Sequence, residues 1–453
     1  MLLTRDKAFY KSFSALFWPL VLQNVINLAV NLADNIMLGR YAPFPDAALA
    51  GATVVNNIQF ILQCLIGGVT GGITVLGSQY WGTQRIGPIK RIASMAFWVS
   101  AAFTLLIFFA CALFPHGVLG LFVSNAPDSV REGVKYLGII KYSYPVFSVA
   151  MILLAAFNCV ETVKIAFWIS VEALVVNVGL NFVLIPQYGS EGAAAATALA
   201  RLVGLAIVIV YALKFDQKLR LRLRDFLVFD RDLFRDFARV TLPLVAISGL
   251  WGFSTAIQTA ILGHMPSFAN AIAANSVATT AYNLTKAAAQ GSAAAAAILM
   301  AKTVGAGDLH KVRDYTKTLQ IMFIGIGIVS GFLLYILKFP IFAAYKVSDD
   351  TIALANQFIY VFIIATIGMA YQMPTVTGII RGGGDTKFGM INDIISIWLI
   401  VLPLSILAAF KFGWPPVAVV ACLNSDQVFK CGAASIRCNR YKWVRRLTRD
   451  EVH

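Results

Sequence analysis

Two stretches half a chain apart read alike: LFWPLVLQNVINLAVNLADNIMLGR at residues 16–40 and VTLPLVAISGLWGFSTAIQTAILGH at residues 240–264. Aligned without a gap, Pro19-Leu20-Val21 falls on Pro243-Leu244-Val245 and Leu38-Gly39 on Leu262-Gly263, a shift of 224 residues. A bilayer span takes about 20 mostly apolar residues, and each stretch supplies them. The offset persists along the chain. Gly82 before a polar, basic stretch answers Gly305 before AGDLHKVRD at 223, and Tyr188-Gly189 answers Phe412-Gly413 at 224. Each match alone is weak, but three in order at a nearly constant shift point to an internal duplication.

Composition says what solvent the duplicated unit lives in. Of 453 residues, 59% are hydrophobic and 13% charged, and the mean hydropathy is +0.75. Soluble domains carry about 25% charged residues, so this chain lacks the polar side chains to cover a water-facing surface. Twelve spans are predicted, at 13–39, 48–80, 92–114, 134–160, 165–186, 191–213, 240–263, 269–301, 317–338, 352–379, 389–410 and 415–436. Six spans per repeat is an even number, so both halves insert with the same orientation. The expected fold is an all-α polytopic membrane protein: two six-helix lobes, residues 1–213 and 240–453, joined by a basic linker at 214–239. A pseudo-two-fold axis along the membrane normal would relate the lobes, a symmetry suited to alternating access around a cavity near the midplane.

The net charge of +15 lies in short stretches between apolar runs, such as Arg85, Lys90 and Arg91, or Lys218, Arg220, Arg222 and Arg224. That is the positive-inside pattern, not a nucleic-acid-binding face. It places both termini in the cytoplasm and the chain in the inner (plasma) membrane. The linker stretch LRLRLRDFLVFDRDLF (219–234) reads equally as an amphipathic helix on the inner leaflet or as an ordinary basic loop. The first apolar run is too long for a signal-peptide core and is expected to stay as the first helix. The six cysteines form no CxxC pair and no metal-spaced cluster, and read as small membrane-embedded side chains.

Polar residues inside spans are costly and are functional candidates by default. Asn24, Asn27, Asn31 and Asp34 share one helical stripe of the first span. An unpaired carboxylate at the depth of Asp34 needs a proton or a cation. The duplicate position is Gln258, which cannot ionise. Asn177 and Asn181 share a face of the fifth span and meet Val401 and Ser405 at the shift of 224; Thr197 follows in the sixth span. One acid among amide and hydroxyl oxygens, kept in one half only, suggests a coupling-ion site for a proton or for Na+ at Asp34, Asn177 and Asn181. The bland reading is that the amides hydrogen-bond adjacent helices.

Other intramembrane charges are Glu172 and the i, i+4 pair Asp426 and Lys430, whose mutual neutralisation explains them without a function. Asn392 and Asp393 fall near an interface. Asn27, Asn31, Tyr142, Tyr144, Gln258 and Gln372 are candidates to line a substrate cavity, with Trp168 a further aromatic, although interfacial anchoring is the commoner use of Tyr and Trp. The small-residue runs GGVTGG (67–72) and AAAQGSAAAAA (287–297) let helices approach closely and occupy corresponding spans of the two halves. No HExxH, GxSxG or P-loop pattern is present, and the four histidines (His116, His264, His310, His453) sit at span ends, in loops or at the terminus. An enzyme and direct ATP drive are therefore both disfavoured. No cofactor beyond the coupling ion is expected.

Together these residues resemble the multidrug and toxic compound extrusion family over essentially the whole chain. The resemblance rests on Pro19 with Asp34-x-x-x-x-Gly39, on RGGGDTK (381–387), which is similar to that family's segment between spans ten and eleven, and on the pair Asn177 and Asn181. It implies export of amphipathic, often cationic compounds, driven by inward flow of protons or sodium; the chain is expected to act as a monomer. It also implies Asp34, Asn158, Asn177, Asn181 and Thr197 as coupling residues. Two features depart from the family pattern. One branch often has an aspartate where Asn181 stands, so this site has a single formal charge. The carboxylates of the other branch, on spans seven and eight, have no match. The counterpart of RGGGDTK in the first half, NCVETVK (158–164), is degenerate. The alternative, a lipid-linked oligosaccharide flippase of related fold, would be expected to line its cavity with several basic residues. Inside the spans, Arg201 and Lys430 are the main basic candidates.

Overall fold

Backbone polar groups in hydrocarbon must satisfy one another, so long apolar runs fold as helices. The computed structural model describes all residues except 1–2, 43–44, 121–126, 228–229, 264, 266–270, 345–348 and 449–453. His264 and His453 lie outside the described residues. Within them the chain is helical and without strands. The helices are α1 (Lys7–Tyr41), α2 (Pro45–Gly72), α3 (Ser78–Gly82), α4 (Ile86–Leu113), α5 (Pro115–Gly120), α6 (Pro127–Ile140), α7 (Ser143–Cys159) and α8 (Lys164–Val210). They continue as α9 (Arg231–Gly263), α10 (Ala271–Gly305), α11 (Leu309–Ala344), α12 (Asp349–Met373), α13 (Thr386–Asp393), α14 (Leu402–Ile406), α15 (Pro416–Leu423) and α16 (Asp426–Asn439). Wider π-helical turns link several of them, as at Ile73–Gly77 and Pro374–Ile380.

Among the described residues, eight helical stretches are long and apolar enough to cross a membrane, or nine if the bent pair Val130–Ile140 and Ser143–Cys159, at 54°, counts as one. The protein is a multi-pass, all-α membrane protein. Its longest helix, α8, would measure about 70 Å if straight, more than twice a bilayer core. It does not run straight. Pro186 lies inside it, and Gly189 leaves the helical region at φ 58, ψ −127. After that turn Gly192 packs against the Leu184 carbonyl, where a Cβ would collide. The second segment thus folds back beside the first.

The chain packs as two compact units, one made of Leu22–Ser248 and the other of Met1–Val21 with Gly249–Asp450. Hence α1 and α9 are each shared out between the two. In the first unit the apolar core includes Leu38, Leu62, Ile66, Leu137, Tyr144 and Ile185. In the second it includes Tyr282, Leu334, Phe358, Phe362 and Val419. Close approaches are built on glycine. A Cβ at Gly68 on α2 would sit 2.6 Å from Val245 Cα on α9, and one at Gly291 on α10 would strike Val21 on α1.

The linker does not form one amphipathic helix. A single 3-10 turn, Leu223–Leu227, precedes α9. The stretch is tied down by Lys90–Asp225 at 3.0 Å, by Arg91–Asp230 at 2.7 Å, and by Ser94 Oγ and Trp98 Nε1, which both donate to the Phe226 carbonyl. Of the two readings, the basic loop is the one present. RGGGDTK docks the C-terminal segment. Asp385, 2% exposed, pairs with Arg437 and, at 3.7 Å, with Arg445; Arg445 N donates to Gly383 O at 2.8 Å. The indole of Trp443, fully buried, lies where a Cβ on Gly383 would be.

Candidate functional site

Asp34 sits seven residues before the Tyr41 end of α1, about 10 Å along the axis, and is half-buried. Asn177 and Asn181, one turn apart on α8, face it and are buried at 1% and 0% exposure. The reversal at Gly189 brings Thr197 alongside them. Asn181 Nδ2 donates to Asp34 Oδ1 at 2.6 Å and to Asn177 Oδ1 at 3.1 Å, and Asn177 Nδ2 donates to Thr197 Oγ1 at 3.1 Å. Four polar side chains from three helical segments thus form one hydrogen-bonded row. Its open valence is Asn181 Oδ1, a buried acceptor with no partner.

Among the described residues no Lys or Arg forms an ion pair with Asp34. Arg201, one turn beyond Thr197, donates Nη1 to Ser143 Oγ at 2.7 Å and lies 5.1 Å over the Phe147 ring. Its charge acts on Asp34, Tyr136 and Tyr144 through space. Carboxylate, amide and hydroxyl oxygens suit a hard monovalent cation. A proton on Asp34 would instead make it a donor for an amide oxygen. Either ion fits this row.

Asn158 does not join the row. It lies at the far end of α7, fifteen residues and about 22 Å along the helix from Ser143, the residue that holds Arg201 near the site. Its Oδ1 is buried without a partner. Asn27 and Asn31 are exposed on α1. Tyr142 is 63% exposed at the bend before α7, with the Lys141 ammonium 5.4 Å from its ring. Tyr144 is fully enclosed in the apolar core, so it offers no open ring face. Trp168 is 62% exposed. Neither carboxylate oxygen of Glu172 has a partner, and a Cβ at Gly204 would sit 3.2 Å from Oε2.

In the other unit Gln258 Nε2 donates to Ser254 Oγ at 3.1 Å. Lys430, 3% exposed, bridges Asp426 at 3.0 Å and Asp393 at 2.7 Å, so the expected intrahelical pair is a triad with a carboxylate from α13. Gln427 Nε2 donates to Asp426, and Gln372 Nε2 to Gln427 Oε1. Sequence reasoning passed over Tyr136, which shares a side-chain hydrogen bond with Thr197 of the row and feels Asp34 through space, and two more lysines inside helices, Lys338 buried and Lys286 half-buried. Lys338 on α11 donates to Asn356 and Tyr360 within a cage of three aromatic rings. Lys286 on α10 lies 5.1 Å from the Trp251 ring. Their signal was plain enough, a lysine deep in an apolar run.

The MatE family model matches residues 19–183 and again 243–407. The chain belongs to the MATE family of transporters. It is therefore a transporter, not an enzyme. The second MatE match begins 224 residues after the first, the offset of the repeated stretches. Among curated relatives, the "Uncharacterized transporter YisQ" of Bacillus subtilis is 24% identical over 428 residues, covering 90% of this chain and 89% of its own. The "Probable multidrug resistance protein NorM" of Halalkalibacterium halodurans is 24% identical over 415 residues, covering 88% and 87%. The fold is similar to that of the Vibrio cholerae MATE transporter VcmN in its bent form, with a TM-score of 0.84, 16% identity, and coverage of 96% and 97% of the two chains.

Proposed function

We propose that this MATE protein is a secondary active exporter of amphipathic, often cationic compounds, driven by inward flow of H+ or Na+ through the Asp34 site. The observation that carries the reading is the row Asp34–Asn181–Asn177–Thr197: a membrane-embedded carboxylate held by neutral donors, with no Lys or Arg ion-paired to it among the described residues, beside an unfilled amide oxygen. Loading Asp34 changes its charge, and one conformation of the chain must then bind the ion better than the other for coupling to follow.

The reading takes the chain as twelve spans in two six-helix lobes, residues 1–213 and 240–453, related by a pseudo-two-fold along the membrane normal. The nine candidate stretches become ten when α8 is divided at Gly189. They become twelve with alanine-rich α10 and the broken pair α15 and α16. The basic linker and termini would face the cytoplasm, with the chain monomeric in the plasma membrane.

The test is dye efflux from proteoliposomes under separately imposed pH and sodium gradients. Asp34→Asn keeps the shape and removes the charge change, so gradient-driven efflux should fall about a hundredfold while thermal stability is retained. Efflux at the wild-type rate in Asp34→Asn would remove the mechanism. Dependence on ATP with neither gradient imposed would remove secondary transport altogether.

A further inference from the structure

Lys286 stands fifteen residues from the Ala271 end of α10 and nineteen from the Gly305 end, about 22 and 28 Å of helix. Its stem is too short to carry the ammonium to either interface, so the snorkelling that accounts for most lysines in membranes does not account for this one. Among the described residues no acceptor and no carboxylate touches its nitrogen; the one direct neighbour of its charge is the Trp251 ring, at 5.1 Å. Two other lysines deep in membrane helices are satisfied. Lys338 has two hydrogen bonds and three rings, and Lys430 has two carboxylates. Asp426 acts on Lys286 only through space, because its carboxylate is taken by Lys430 at 3.0 Å and Gln427 at 2.8 Å.

Further polar side chains share the faces of the two helices that carry Lys286 and Trp251. On α10, exposed Asn283, half-buried Lys286 and half-buried Gln290 recur at i, i+3 and i+7, one stripe of the helix. On α9, Trp251, 41% exposed, and half-buried Gln258 lie two turns apart on a single face. Both helix segments belong to the Gly249–Asp450 unit. We propose that Lys286 and Trp251 form a carboxylate-binding subsite for amphipathic aromatic acids and zwitterions. The ammonium receives the carboxylate and the indole face receives the adjoining ring. A bound carboxylate supplies a counter-charge in contact with the ammonium, where Asp426 acts only through space. A cationic group at the same place meets like charge.

This adds acids and zwitterions to the amphipathic compounds of the exporter reading, a class distinct from the cations named there, and it rests on that reading only for the transport step. Its test uses no gradient, so it can fail without the coupling mechanism failing. The full-length protein in nanodiscs is dialysed to equilibrium against radiolabelled 2-naphthoate, methyl 2-naphthoate or 2-naphthylmethylamine. Wild type should bind the carboxylate about tenfold or more tighter than the ester or the amine. Lys286→Gln should lose about tenfold for the carboxylate and leave the ester within about twofold, and Lys286→Arg should stay within about threefold for all three. No saturable naphthoate binding by wild type, preference for the amine, or an unchanged carboxylate affinity in Lys286→Gln overturns the subsite. The three-ligand comparison on wild type decides the matter even if Lys286→Gln does not fold.

Discussion

With both its amide hydrogens given away, to Asp34 at 2.6 Å and to Asn177 at 3.1 Å, Asn181 keeps a buried carbonyl oxygen that no donor among the described residues reaches. Replacing that amide with a carboxylate removes the donor to Asp34 and sets two acids side by side, an arrangement that demands a cation. Asn181→Asp should therefore gain sodium-dependent stability. At a Na+ concentration ten times Kd the gain is about 1.4 kcal/mol, a rise of about 1–2 °C in Tm for a chain of this length. Wild type, with one carboxylate, should show a smaller rise, and an Asn181→Asp melting curve indifferent to Na+ would contradict this account. The amide pair was legible because i, i+4 spacing on a helix leaves little freedom about which face a side chain takes. The Thr197 contact depends on the reversal at Gly189, which a run of helix-forming residues does not announce. Resemblance implies Asn158, but its depth at the far end of α7 keeps it from the row. Lys286 borders an alanine-rich run whose composition speaks for close packing and obscures the charge beside it.

Helix ends carry the duplication more clearly than side chains do. Eight described residues have a positive φ, and they fall into four pairs between the halves: Gln84 with Gly307, Glu161 with Gly384, Gly189 with Gly413, and Arg220 with Tyr441. Only the Gly189 and Gly413 pair uses glycine twice, so sequence alone exposed that turn and hid the others. The segment after α12 shows what such a turn does. Gly384 at φ 102 aims Asp385 at Arg437, and bare Gly383 admits the Trp443 indole. In the first half Lys218 Nζ donates to the Val160 carbonyl at 2.6 Å and Trp81 Nε1 to Glu161, so the degenerate stretch also fastens the chain that follows its lobe. Asp385→Ala leaves Arg437 without a carboxylate. Breaking a buried pair costs about 3–5 kcal/mol, and less here because Arg437 keeps a quarter of its surface in solvent. The loss should appear as faster tryptic release of the C-terminal peptide. Gly383→Ala, which pushes a methyl into the Trp443 ring, should accelerate the same cleavage with about 1–3 kcal/mol of strain. Cleavage at the wild-type rate in both variants would mean that the motif does not dock this segment.

At the scale of the whole chain, the halves of the sequence and the units of the structure are not the same division. Packing groups Met1–Val21 with Gly249–Asp450 and leaves α9 before Gly249 with Leu22–Ser248. Sequence repetition marks where a gene segment was copied. It does not say which copy a helix packs against, because both copies offer the same small-residue groove. Gly68 receives Val245 and Gly291 receives Val21, contacts that answer each other across the repeat. A lobe made of residues 1–227 alone would keep the Gly68 groove and lose the α9 segment that fills it. Residues 228–453 would keep Gly291 and lose the start of α1, with the Tyr315–Asp6 hydrogen bond and the Phe9–Tyr315 ring contact at 4.5 Å. Emptied grooves between membrane helices lose the van der Waals packing that associates them. Expressed separately, each fragment should therefore be protease-sensitive and short-lived in the membrane, whereas co-expression of the two should restore a protease-resistant complex that co-purifies. Accumulation of residues 1–227 alone as a folded, resistant unit would show that the shared helices are dispensable, and the two halves would then be domains in the ordinary sense.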